Sequence, residues 1–193
     1  MNKFRLIIIA GLFALLSISP AMAQDLSSGS ILISGETEFG YSNQKIEYEG
    51  GGEYTVSGFN LDVIGEYFLI DNISVAAYLG YGSESTKNGD EVKETEMKVG
   101  VGGNYYYDMQ SELFPFAGAF LGYRSQKTSN GSDYTVSGIE FGFGGGVLYF
   151  LNEYALVKAG LKYSIGKGTA KNGSEVDVDV SELALYVGLG VKL

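Results

Sequence analysis

The chain has 193 residues, 45% of them hydrophobic and 19% charged, with a formal net charge of −10 and a pI of about 4.4. That length suits one domain, the apolar share excludes a disordered tail, and the acidic balance argues against nucleic acid as a partner. Cysteine and histidine are absent, which removes disulfides, thiolate metal sites and the usual general base, so neither an enzyme activity nor a metal or cofactor site is expected.

Residues 1–23 read as a secretory signal for the Sec pathway. Lys3 and Arg5 precede an apolar run from Leu6 to Ile18, and Ala21-Met22-Ala23 offers the small-x-small site for cleavage between Ala23 and Gln24. The run is too short for a membrane helix, which needs about 20 residues. The mature domain is then 24–193, with 11 basic residues against 23 acidic ones.

From there the chain alternates with period 2, and the odd positions are the apolar ones. The first segment sets Ile31, Ile33, Phe39 and Tyr41 against Glu36 and Glu38, and the second sets Phe59, Leu61, Val63 and Tyr67 against Asp62 and Glu66. A third runs over Ile73–Tyr81; a fourth sets Met97, Val99, Val101 and Tyr105 against Glu96 and Lys98, with Glu94 on the same parity. The fifth sets Ala117, Ala119, Leu121 and Tyr123 against Arg124, and the sixth sets Ile139, Phe141, Phe143 and Tyr149 against Glu140. The seventh sets Val157, Leu161 and Tyr163 against Lys158 and Lys162, and the eighth sets Leu183 to Leu193 against Ala184, Tyr186 and Lys192, with Glu182 just before. Eight strands of about ten residues or more have the length needed to cross a bilayer at a tilt.

Short turns are expected at Ile70–Asn72, Asp108–Glu112 and Leu151–Glu153, and longer polar loops near Asn43–Glu53, Glu84–Glu91, Gln126–Asp133 and Gly166–Glu175. Alternating short and long connections around an even strand count predict an all-β, eight-stranded, antiparallel up-and-down transmembrane barrel with its short turns and both ends in the periplasm. Collinear matches, such as YTVSG at Tyr54–Gly58 and Tyr134–Gly138, point to a four-strand duplication over about 30–107 and 114–193.

On this reading the polar parity faces inward. Glu36, Glu38, Asp62, Glu66, Glu94, Glu96, Glu140 and Glu182 would pair with Lys98, Arg124, Lys158 and Lys162 in the lumen. Tyr78, Tyr106, Phe116, Phe120 and Tyr186 add bulk there, so an interior plugged by its own side chains and no stable large-conductance pore are expected; Gly100, Gly102, Gly142, Gly144, Gly146, Gly160, Gly188 and Gly190 are the counter-evidence, since they leave space that could hold a file of water. Tyr41, Tyr81, Tyr123 and Tyr163 at the loop side, with Tyr67, Tyr105 and Tyr149 at the turn side, form two aromatic girdles.

The strand-five string Pro115-Phe-Ala-Gly-Ala-Phe-Leu-Gly-Tyr123 and the terminal Tyr186-Val-Gly-Leu-Gly-Val-Lys-Leu193 carry a resemblance to the small outer-membrane barrels of the OmpX/Ail type, and more loosely to the OmpA transmembrane domain. Members of that family usually end in an aromatic residue; this chain ends in Leu193. The resemblance implies a monomer in the outer membrane of a Gram-negative-type bacterium, handled by periplasmic chaperones and the barrel assembly machinery and surrounded by outer-membrane lipid. It also implies a structural or surface-interaction role through the loops, with an unidentified surface ligand. A small porin-like channel and a soluble secreted ligand-binding barrel are the alternatives.

Overall fold

The computed structural model describes residues 25–43, 55–88, 90–130, 132–171 and 175–193. The signal segment with its Ala23–Gln24 cleavage site, and most of the Asn43–Glu53 loop, lie outside the described residues.

Eight strands follow one another: β1 (Ile31–Asn43), β2 (Thr55–Ile70), β3 (Ile73–Asn88), β4 (Asp90–Tyr106), β5 (Leu113–Asn130), β6 (Ser132–Phe150), β7 (Ala155–Lys171) and β8 (Glu175–Lys192). Each pairs antiparallel with its sequence neighbour, and β1 pairs with β8 from Leu32↔Lys192 to Asn43↔Ser181, which closes the barrel. Closure leaves no sheet edge, as a lipid-spanning sheet requires. Nearly every registered pair joins residues of equal parity, for example Ile31↔Tyr67, Lys98↔Arg124 and Ala155↔Val191. Residues directly opposite share a face, so the odd parity points outward all the way round. Leu61, Leu79, Met97, Val101, Leu121, Phe143, Leu161 and Leu189 are accordingly exposed.

The turn side is built by short side-chain-supported connections. Asn72 holds a φ of 64° between β2 and β3, a conformation that asparagine tolerates better than most residues. Between β6 and β7, Asn152 Oδ1 accepts from the backbone N–H groups of Tyr154 at 2.9 Å and Ala155 at 2.8 Å. The other side differs from expectation. The segments expected as loops at Glu84–Glu91 and Gln126–Asp133 continue as ladder to Asn88↔Asp90 and Asn130↔Ser132, and β7 and β8 stay paired to Lys171↔Glu175. Strands of up to 19 residues result. These stretches are polar on both parities, but they hold or adjoin β-formers such as Val92, Thr95, Thr128 and Val136, so the ladder runs on into water, where neither face needs to be apolar.

The interior is layered. At the turn side it is apolar: Leu26, Leu32, Phe68, Tyr106, Phe114, Leu148, Phe150 and Leu156 are each at most 2% exposed. Leu26 reaches this layer because residues 25–30 fold beneath the barrel. Asn72 N donates to Leu26 O at 2.9 Å, Gly29 N donates to Phe68 O at 2.8 Å, and Gly29 supplies the φ of 90° that the bend needs.

The inward glycines do not form an open column. The Tyr78 ring lies in the slot left by Gly100 and Gly122, and the end of the Phe120 ring lies against Gly142. The two rings meet edge-on with centroids 5.8 Å apart. A side chain at Gly100 would drive Tyr78 out of this slot. Gly100→Val is therefore expected to destabilise the folded barrel by about 1–3 kcal/mol, the usual cost of overpacking. A lower urea midpoint in lipid vesicles would register it; an unchanged midpoint would mean that the slot is loose.

Candidate functional site

The ionisable residues of the lumen occupy the middle and loop-side part of the barrel, above the apolar layer. Glu36 and Glu38 come from β1, Asp62 and Glu66 from β2, Glu94, Glu96 and Lys98 from β4, and Arg124 from β5. Glu140 lies on β6, Lys158 and Lys162 on β7, and Glu182 on β8. Glu36, Glu38, Asp62, Glu66, Lys98, Glu140 and Lys158 are buried, and the other five are half-buried.

They form two groups. Next to the apolar layer, Lys158 Nζ sits 2.7 Å from Glu66 Oε1 and 3.5 Å from Glu36 Oε1, over the Phe116 ring. Glu66 also accepts from Ser74 Oγ at 2.7 Å, Asn104 Nδ2 at 2.9 Å and Tyr106 OH at 2.8 Å. A buried carboxylate is tolerable when its lone pairs are filled in this way.

The second group crosses the lumen. Lys98 Nζ lies 3.0 Å from Glu38 and 2.8 Å from Glu96. The Arg124 guanidinium contacts Glu182, reaches Glu140 at 3.3 Å and touches Glu96 at 3.7 Å. Lys162 is paired with Glu38 and stands 3.7 Å from Asp62 Oδ2. Tyr78 OH donates to Glu140 Oε1 at 3.1 Å. Glu94, nearest the loops, accepts from Gln126 Nε2 at 2.9 Å and Thr128 Oγ1 at 3.5 Å. Low local dielectric strengthens each of these contacts and makes each unpaired charge costly.

The alternation identifies these charges as inward. Ser74 and Asn104 share that inward parity, but parity alone does not show that they donate to Glu66, and Leu26 lies outside any alternating segment. Between the two groups lies a cavity of about 90 Å³, lined by Glu36, Asp62, Asn104, Lys158, Lys162 and Tyr186 among others. That is room for a few water molecules, a pocket rather than a file. Among the described residues no cluster of three or more carboxylates is arranged to hold a metal ion.

On the outside, Tyr67, Tyr81, Tyr105, Tyr123, Tyr149 and Tyr163 are all exposed on the outward parity. Tyr41 pairs with Leu183 in the ladder, and its side chain lies outside the described residues. Lys127 and Lys167 follow Tyr123 and Tyr163 by four positions, Lys93 precedes Met97 by four, and all three lysines are exposed. Aromatics at the edge of an apolar band, with long cationic side chains just beyond, are the anchors of a membrane–water interface.

The chain matches the model of the outer membrane protein beta-barrel domain over residues 10–192. No curated protein relative matches it. Among solved structures, Neisserial surface protein A (NspA) is similar at 19% identity and a TM-score of 0.61, over 86% of this chain and 100% of that one. The outer membrane protein OprG from Pseudomonas aeruginosa is similar at 16% identity and a TM-score of 0.56, over 89% and 99%. The attachment invasion locus protein Ail of Yersinia pestis is similar at 14% identity and a TM-score of 0.55, over 86% and 99%. Likeness at these identities shows a shared fold.

Proposed function

The chain belongs to the outer membrane protein beta-barrel domain family, and from that premise we propose that it is a non-enzymatic integral outer-membrane barrel with a closed lumen, acting through its loop-side end. Leu79, Met97, Val101 and Ile139 are 61% to 64% exposed on the outer wall, within a belt that is apolar all round. Such a belt suits lipid and not water. A soluble ligand-binding barrel would carry its apolar face inside.

The observation that carries the closed-lumen reading is the apolar layer sealed by Leu26. Phe68, Phe114, Leu148, Phe150 and Leu156 are at most 1% exposed beside it, so water does not reach the turn-side end as it would in an open pore. Above that layer the charges face one another rather than an aqueous path. With short turns and both ends on the periplasmic side, the ladder extensions beyond the tyrosine girdle project outward from the cell. There they offer the surface through which a structural or binding role is exerted.

The channel reading has one observation in its favour, the 90 Å³ cavity. Planar-bilayer recording of the refolded protein separates the two. No stepwise conductance of porin size is expected. Reproducible large steps that vanish when Gly144, on the cavity wall, is replaced by a bulky residue would overturn the closed-lumen reading.

A further inference from the structure

The lumenal lattice does not balance. Among the described residues its ion pairs join seven carboxyl groups (Glu36, Glu38, Asp62, Glu66, Glu96, Glu140 and Glu182) to four cations (Lys98, Arg124, Lys158 and Lys162). Buried charge without compensation is costly enough that groups neutralise instead. The point of greatest conflict is Glu38 with Asp62. Both are buried and converge on the one Lys162 Nζ, Glu38 as its ion-pair partner and Asp62 Oδ2 at 3.7 Å. Two ionised carboxylates have only acceptors, so one can bond to the other only if it holds a proton. Asp62 is 3% exposed, and among the described residues its Oδ1 has no hydrogen-bond partner; it lies against Gly80. An anionic oxygen left without a donor is expensive there, whereas the carbonyl oxygen of a neutral carboxylic acid is far less so.

We propose that Glu38 and Asp62 share one proton at neutral pH, so that the barrel lumen contains a proton-binding site with Asp62 as the protonated partner and Glu38 as the anion. Glu38 suits the anionic role because it has two cations, Lys98 from β4 and Lys162 from β7. The other groups facing the pair are Glu36, opposite Asp62 in the ladder, Tyr78 from β3, and the set of Glu96, Arg124, Glu140 and Glu182 from β4, β5, β6 and β8. Within that set one guanidinium serves three carboxylates, so it supplies no spare cation to the pair.

The folded barrel then holds a proton that the unfolded chain releases at neutral pH. By linkage, folding stability must fall as the pH is raised until this proton is lost. Asp62→Asn keeps a neutral donor for Glu38 and should remove that part of the pH dependence.

Infrared spectroscopy of the refolded protein in phosphatidylcholine vesicles tests the site. A protonated carboxyl stretch is expected at neutral pH, shifted when the aspartates are carbon-13 labelled and absent in Asp62→Asn. The labelling requires only the native chain, so it decides the matter even if the variant fails to fold. Absence of an aspartate-derived protonated band would overturn the proposal. Urea midpoints that fall equally with rising pH in the wild type and Asp62→Asn would also count against it.

Discussion

Lys158→Met is expected to lower the stability of the folded barrel by about 3–5 kcal/mol, the cost of stranding a buried charge. Lys158 is 3% exposed and is the ion-pair partner of both Glu66 and Glu36. Methionine fills nearly the same volume and keeps contact with Phe116, so the change is chiefly electrostatic. Glu66 would retain Ser74, Asn104 and Tyr106 as neutral donors, whereas Glu36 would retain, among the described residues, the weaker contact from Ser34 Oγ at 3.4 Å. The double variant Lys158→Met/Glu36→Gln should recover much of the loss, because it also neutralises the carboxylate left with the weaker support, and replacing both members of a buried pair is often near neutral where removing one is not. Urea titration in lipid vesicles measures both. Equal losses in the single and double variants would show that Lys158 matters through packing rather than charge.

The strands and the direction of their faces were legible because alternation needs only local sequence, and the ladder carries one parity from strand to strand. Parity goes no further: it tells which wall a side chain leaves, not how deep it lies or which wall it meets. Lys158 and Glu66 are 92 positions apart, and Lys162 and Glu38 are 124 apart; only closure brings them together. Depth was the missing quantity elsewhere too. Leu32, Phe68, Leu148 and Leu156 share the inward parity with the carboxylates, yet they stack into an apolar layer because all lie at the turn-side strand ends. The glycines Gly100 and Gly142 suggest empty space because a sequence does not show a neighbouring Tyr78 or Phe120 leaning into it. Polar composition on both parities suggests loops at Glu84–Glu91 and Gln126–Asp133, where the strands in fact continue as paired ladder.

Depth also decides the outcome on the outer face. Val101→Arg is expected to cost about 2–4 kcal/mol and Val99→Arg distinctly less, following the depth dependence of cationic substitutions on a lipid-facing barrel wall. Val101 lies four residues from Tyr105 at the turn-side girdle and four from Met97 towards the loops, and it pairs with Ala77 and Leu121. Its surroundings are therefore apolar on every outward side. Val99 pairs with Tyr123, itself a girdle residue, so an arginine there can extend its guanidinium past the ring towards Lys127 and the headgroups. Both valines are exposed, Val99 at 49% and Val101 at 61%, so neither substitution disturbs the packed interior, and the comparison isolates the surrounding solvent. Paired urea titrations in vesicles provide the measurement. A barrel bathed in water would accept arginine at either position with little change. Equal, small effects would therefore reverse the assignment of the outer face to lipid, and a larger loss at Val99 than at Val101 would move the midplane towards the loops.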